Sequence, residues 1–245
     1  VLLRHSASEE ATTAVSTAKA PLTDRDEADL QRYIDVSRGE IFFARGVILV
    51  EGDAERFLIP AFAEALDIPL DMLGITVCSV SGTNFTPYVK LLGPQGLNIP
   101  HVILTDRDPN GTKPPLVRSR LIKVLSLIEN GVNYTPLDAD AVIARAEALG
   151  YFVNGNTLEP ELFCGGLADA MQEVIEEELS IKQATRNLLQ GWVDDTDTLD
   201  EERLIKLIER IGKGRFAQAL APHVDQDTCP DYIRKALEHI RDAIA

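Results

Sequence analysis

Val47–Val50 is an unbroken aliphatic run, VILV, that passes directly into Glu51-Gly52-Asp53-Ala54-Glu55. A short apolar run without polar alternation is the pattern of a strand buried on both faces, and such strands belong to parallel sheets covered by helices on each side. The chain must then supply helical crossovers. AERFLIPAFAEAL places Phe57, Leu58, Ala61, Phe62, Ala65 and Leu66 at helical spacing, with Gly52 as a sharp turn and Asp53 as the expected cap. Two further runs repeat the scheme. Ile75–Val80 leads into Ser81-Gly82-Thr83-Asn84 and a helix over 85–92, and HVILTD, 101–106, leads into Arg107-Asp108 and a helix closed by Gly131. Strands alternating with helices predict an α/β fold with right-handed crossovers and a parallel, Rossmann-like sheet.

The pattern changes toward both ends. VLLRH at the start is strand-like, and SASEEATTAVSTAKAPLTD is small, polar and aperiodic, as expected of a linker. TDRDEADLQRYIDVSRGEIFFA predicts one helix, capped by Thr23 or Asp24, with Leu30, Tyr33, Ile34 and Ile41 inward. DADAVIARAEALG predicts another helix, and YFVNGNTLEPELF a fourth strand followed by an acidic loop. From about Gly165 only helical patterns remain, among them LADAMQEVIEEEL, LDEERLIKLIERIG and CPDYIRKALEHIRDAIA. The expected organisation is a strand and linker over 1–22, an α/β domain over 23–164 and a small all-helical domain over 165–245. The strand-like start without an initiator methionine suggests a piece of a longer protein.

Bulk properties narrow the function. With 245 residues and 45% hydrophobic content, the chain can bury a proper core as one large or two modest domains. A net charge of −15 argues against a broad basic patch for nucleic acid, so a phosphate-bearing substrate needs local cations. DDTDTLDEE, 194–202, is the densest acidic run and fits a solvated loop and helix start. Cys78, Cys164 and Cys229 lack metal or redox spacing, and no apolar run has membrane length or a signal-peptide pattern, which points to a cytoplasmic, reducing setting. His5, His101, His223 and His239 do not cluster, and no serine or cysteine sits in a nucleophile elbow.

The strand ends carry the chemistry. Two strands of one sheet deliver carboxylates at the same end, so Glu51, Glu55, Asp106 and Asp108 can converge on one crevice. Their mutual repulsion calls for a cation, and oxygen-only ligands favour magnesium, manganese or calcium over zinc. Each acid alone also has a structural role open to it. Asp53 and Glu55 suit the first turn of a helix, and DRDPNGT suits a turn. Ser81 and Gly82 can offer a hydroxyl and an amide to a phosphate, or simply make a strand-to-helix turn. In RIGKGRF, Lys213 lies between Gly212 and Gly214 with Arg210 and Arg215 nearby, either a phosphate-contacting cation or a plain helix break.

An apolar strand into Glu-Gly, a second into a loop and a third into Asp-x-Asp resemble the Toprim domain of topoisomerases, bacterial primases and certain nucleases. VILVEGDAE, VSGTNF and LTDRD together look most like the overcoming-lysogenisation-defect (OLD) nucleases, clearly over 39–163 and more weakly beyond. The resemblance implies a Toprim domain followed by the helical one, and phosphodiester hydrolysis with two Mg2+ or Mn2+ ions, Ca2+ also being able to occupy the site. It implies Glu51 and Glu55 on one ion, Asp106 and Asp108 on the other with Asp106 bridging, and a further ligand at Glu161, with Glu159 as the outer or alternative one. Glu51, Asp106 and Lys213 are the implied catalytic residues, and Ser81, Gly82, Lys213 and Arg215 the substrate contacts. The implied partners are DNA, an N-terminal ABC-type ATPase domain whose last strand is VLLRH, and a second copy in a homodimer. Two other functions compete with a DNA endonuclease or nickase. One is a phosphatase or phosphotransferase with Asp106 as nucleophile, and the other a Toprim-like scaffold that binds nucleic acid without cutting it.

Overall fold

A computed structural model of the chain describes residues 1–6, 11–34, 39–107, 116–129 and 131–245. The N-terminal stretch differs from the expected linker. Leu2–Ser6 (β1) pairs antiparallel with Ala11–Val15 (β2), Leu2 opposite Val15. ATTAV has β-branched residues that fit a pleated ribbon, but its small side chains give no apolar alternation to announce it. Asp24–Tyr33 (α1) is opened by a capping box in which Thr23 and Asp26 exchange side-chain and backbone bonds. It is shorter than the single helix expected, and Gly39–Phe42 forms a separate 3-10 turn that buries Ile41.

The main sheet has four parallel strands in the order β4-β3-β5-β6. Gly46–Val50 (β3) is buried at every residue. It is followed by Asp53–Ala65 (α2), the short helix Leu70–Leu73 (α3) and Ile75–Ser79 (β4). Thr86–Leu92 (α4) leads to His101–Thr105 (β5), and Leu116–Ile128 (α5) and Ala139–Glu147 (α6) lead to Tyr151–Val153 (β6).

Strand alternation sends side chains to two separate cores. Ile48, Val50, Val102, Leu104 and Phe152 join one, and Val47, Leu49, Ile103 and Tyr151 the other. Right-handed crossovers decide which helix covers which face. The step from β3 to β4 runs toward one edge of the sheet, whereas the steps from β4 to β5 and from β5 to β6 run toward the other. Accordingly α2 lies on one face, and α4, α5 and α6 on the opposite one. The reversal falls between β3 and β5, and ligand crevices in open parallel sheets form there, at the carboxyl ends of the strands.

One crossover helix cannot cover a four-stranded face. Leu158–Leu162 (α7), Ala168–Glu178 (α8), Gln183–Asp194 (α9), Glu201–Ile211 (α10), Lys213–Leu220 (α11) and Asp231–Ile244 (α12) complete the apolar core on that side, with α12 packed on the strands themselves. The last strand, β6, ends at Val153, and the helices beyond it share an apolar core with α2 and the sheet. α12 lies across β3, β5 and β6. A Cβ on Gly46 would meet Ile240 and Ile244 at 3.1 Å. Among the described residues no helix is long and apolar enough to cross a membrane.

Candidate active site

Three strands of the sheet end on a polar side chain one residue past their last paired position: Glu51 after β3, Asp106 after β5 and Asn154 after β6. Parallel pairing puts these ends side by side, and Lys213 at the start of α11 comes to the acids there.

Glu51 is the most heavily bonded. Its Oε1 accepts from the Asp106 amide at 3.0 Å, from Arg120 Nη1 at 2.7 Å and from the Thr105 hydroxyl. Arg120 Nη1 also reaches Thr105 Oγ1 and the Asp106 carbonyl oxygen, the latter at 3.1 Å. Asp106 Oδ1 accepts from Asn154 Nδ2, and Asn154 Oδ1 in turn accepts from the Arg107 amide at 2.8 Å. Tyr232 of α12 is buried beside this chain, and burial together with the charges of Asp106, Glu161 and Glu55 raises its hydroxyl.

Glu55 stands in the first turn of α2 and faces the same crevice. Its carboxyl is raised to about 7 by burial, with Glu51 and Glu159 repelling its charge and Lys213 relieving it. Asp106 is raised to about 8 by burial and by Glu51, Glu55 and Glu159, against a small opposing pull from Asn154. Glu159 is 3% exposed; its Oε1 pairs with Lys213 Nζ at 2.8 Å, and its Oε2 is buried without a hydrogen-bond partner among the described residues. Burial works against the charged form of Lys213, but Glu159, Asp106 and Glu55 outweigh it and raise the lysine.

Local sequence explains how the lysine arrives. Gly212 has φ 96°, a left-handed conformation that ends α10 and turns the chain into α11. Gly214 then allows α11 to press on α2, because a Cβ there would lie 3.2 Å from Asp53 Cβ and 3.6 Å from Phe57. Lys213 is the first residue of α11 and is thereby carried to the acids.

Several expectations are revised. Gly52, not Asp53, is the N-cap of α2; its backbone is extended, so no sharp turn is made there. A Cβ there would make only an ordinary contact, 3.4 Å from Glu55 Oε2. The Gly82 amide donates to the Glu51 carbonyl oxygen at 2.8 Å, and the Ser81 amide to Ser79 Oγ at 3.2 Å. That loop therefore buttresses Glu51 with amides that are already engaged. Glu159 lies within the acid group, whereas Glu161 accepts from the Gly155 amide at 3.0 Å and faces Asp231. The order of preference between the two glutamates is thus reversed in space. Arg215, expected as a substrate contact, pairs with Glu178 at 2.7 Å, and Arg107 pairs with Asp140 at 2.6 Å. Asp108 lies outside the described residues.

Sequence reasoning missed Arg120 and Asn154, and both leave a signal. Arg120 interrupts the buried stripe Val117, Leu121, Val124 of α5, so its charge is carried on an inward face. Asn154 follows its strand at the same offset as Glu51 and Asp106. Among the described residues no three His, Cys, Asp or Glu side chains are gathered closely enough to enclose one ion. Asp106 and Glu159 are turned onto Asn154 and Lys213, so joint ligation requires side-chain rotation.

The family model for the overcoming lysogenization defect protein-like Toprim domain matches residues 42–108. Among solved structures, the platinum-phased C-terminal region of the Xanthomonas campestris pv. campestris OLD protein is 73% identical, covering 84% of this chain and 96% of that one with a TM-score of 0.80. The C-terminal region of the Burkholderia pseudomallei OLD protein is 64% identical, covering 83% and 100%, with a TM-score of 0.79. No curated protein matches.

Proposed function

The chain belongs to the OLD family, a nuclease-type family carrying a Toprim domain, and we propose that it is a divalent-metal-dependent DNA endonuclease or nickase acting by a two-metal mechanism. The observation that carries this reading is the group formed by Glu51, Glu55, Asp106 and Glu159 at the sheet's switch point, with Lys213 at its rim. Two carboxyls held up near neutral pH by burial and like charge mark a site whose acids outnumber its two cations, Arg120 and Lys213. The buried, unpartnered Oε2 of Glu159 and the oxygen-only donor set fit a hard divalent ion. Toprim domains in general bind divalent metals, which agrees with this choice.

Glu51 and Glu55 would hold one ion and Asp106 and Asp108 the other, with Glu159, not Glu161, as the further ligand. Such ions supply charge neutralisation at the phosphate and activation of the attacking water. Lys213 donates toward the non-bridging phosphate oxygens as charge builds there. Its pairing with Glu159 keeps the ammonium aimed into the crevice. Asn154, one residue past β6, fixes Asp106 by donating to its Oδ1. An N-terminal ABC-type ATPase and a second copy of the chain belong to the same proposal, as surfaces that help hold an acidic substrate on an acidic protein.

Plasmid cleavage in magnesium, manganese and calcium tests the reading. The native chain is expected to nick or cut in the first two ions, with Glu51→Ala and Asp106→Ala slower by at least about 10²-fold and Lys213→Ala by about 10²- to 10³-fold. Cutting that survives loss of either carboxylate excludes the two-metal site. Cutting that survives only the lysine change removes Lys213 from the mechanism and leaves the metals in place. A stable acyl phosphate on Asp106 supports the phosphotransfer reading instead.

A further inference from the structure

The Glu51 carboxylate is used asymmetrically. All three of its protein donors, the Thr105 hydroxyl, the Asp106 amide and Arg120 Nη1, bond Oε1. None of the described hydrogen bonds reaches Oε2. Three donors fill the acceptor capacity of one carboxylate oxygen, so Oε1 faces the protein and Oε2 is the atom left to face the crevice.

Arg120 is the unusual member of the three. Its side chain is 10% exposed, it is carried on the inward stripe of α5, and one of its nitrogens bridges Glu51, Thr105 and the Asp106 carbonyl. Those atoms belong to the ends of two neighbouring strands. A guanidinium there ties the residue after β3 to the residue after β5 and fixes the relative position of two site acids. Its charge also acts on the crevice. An inward cation with no positioning task would only repel a second cation.

We propose that Arg120 is a positioning residue which, with Thr105 and the Asp106 amide, commits Oε1 of Glu51 to the protein and leaves Oε2 as its single oxygen for a divalent ion. The inference rests on the metal-dependent reading of this site. It goes beyond that reading by naming a residue outside the acid set and by fixing Glu51 as a one-oxygen ligand. Groups that orient ligands from behind are worth about 10- to 100-fold in metal affinity or activity. A mere counter-charge gives the opposite sign, since its removal lets a divalent ion bind more tightly.

The sign of the change in metal affinity is therefore the test. Mn2+ binding to the whole chain is read from the loss of the free-ion electron paramagnetic resonance signal, without DNA. Arg120→Met is expected to weaken binding about tenfold, and Arg120→Lys, which keeps the charge but not the planar fork of donors, to recover only part of that loss. Thr105→Val, which keeps the side chain's shape and removes one donor, is expected to weaken binding about two- to fivefold. Mn2+ binding by folded Arg120→Met as tight as in the native chain, or tighter, overturns the proposal. If Arg120→Met does not fold, unchanged affinity in Thr105→Val overturns it alone. Glu51→Ala separates the two levels: native affinity in that variant defeats the metal reading itself. Affinity lost in Glu51→Ala but kept in Arg120→Met defeats only the role of Arg120.

Discussion

Asp106 and Glu55 titrate in a range where free carboxylates are already ionised, and this has a thermodynamic consequence. Their folded-state values, about 8 and about 7, lie above the ordinary carboxylate range. In the metal-free chain both hold protons that the unfolded chain has released, so their contribution to stability is fully present below about pH 4. It is lost as pH rises through about 7 and 8. His101 pulls the other way, because burial lowers it, but its contribution is complete by about pH 6.5. Melting of the EDTA-treated protein is therefore expected to fall by several degrees between about pH 6.5 and 8.5, and Asp106→Asn to flatten that slope. A melting temperature that climbs over this interval contradicts the burial argument. Legibility at this scale follows from the same physics. Glu51, Glu55 and Asp106 show in the sequence because a charge beside an apolar strand is costly and therefore conspicuous. Arg120 and Asn154 do not, because one is hidden in a helix whose period must be tracked and the other is uncharged. Glu159 and Glu161 share a five-residue helix, and only its orientation decides which enters the crevice.

Elements are legible where one local pattern suffices. The four strands of the main sheet and the helices between them follow from apolar runs and helical periodicity, since a strand buried on both faces cannot disguise itself. β2 escapes notice because its stability comes from pairing with β1, a partner that small residues do not announce. The extent of α1 is likewise overestimated where Gly39 begins a tighter turn. The most consequential contact between elements, α11 against α2, rests on Gly214. Gly214→Val places branched carbons where only about van der Waals distance separates the helices. Overpacking of this kind is expected to cost about 1–3 kcal/mol and to push Lys213 away from Glu159. Denaturant unfolding and plasmid cleavage read the two effects separately. The prediction is that cleavage falls by more than tenfold under conditions where the variant is still fully folded, and an active, merely less stable variant would show that the helix approach does not set the lysine.

At the scale of the molecule, the α/β unit and the helical region depend on each other. Truncation after Phe163 would expose the sheet face formed by Ile48, Val50, Val102, Leu104 and Phe152, all of which are buried. Such a chain is expected to bind hydrophobic dyes and to lack a cooperative melt, whereas a sharp transition would establish an autonomous α/β domain. The charge of the intact chain sets the final expectation. With a net charge of −15, long-range electrostatics oppose DNA instead of steering it. A protein that held DNA through a basic surface would bind without divalent ions, and its affinity would fall steeply with monovalent salt. If contact is made chiefly through ions held by Glu51, Glu55, Asp106 and their neighbours, the pattern differs. Duplex binding should be lost in EDTA and restored by Ca2+, with a shallow dependence on monovalent salt because few phosphates are neutralised by side chains. Fluorescence anisotropy of a labelled duplex in EDTA, then in Ca2+ over a salt series, measures both quantities. Tight binding in EDTA with a steep salt slope would move the DNA contact away from the acid crevice, to a cationic surface elsewhere on the chain.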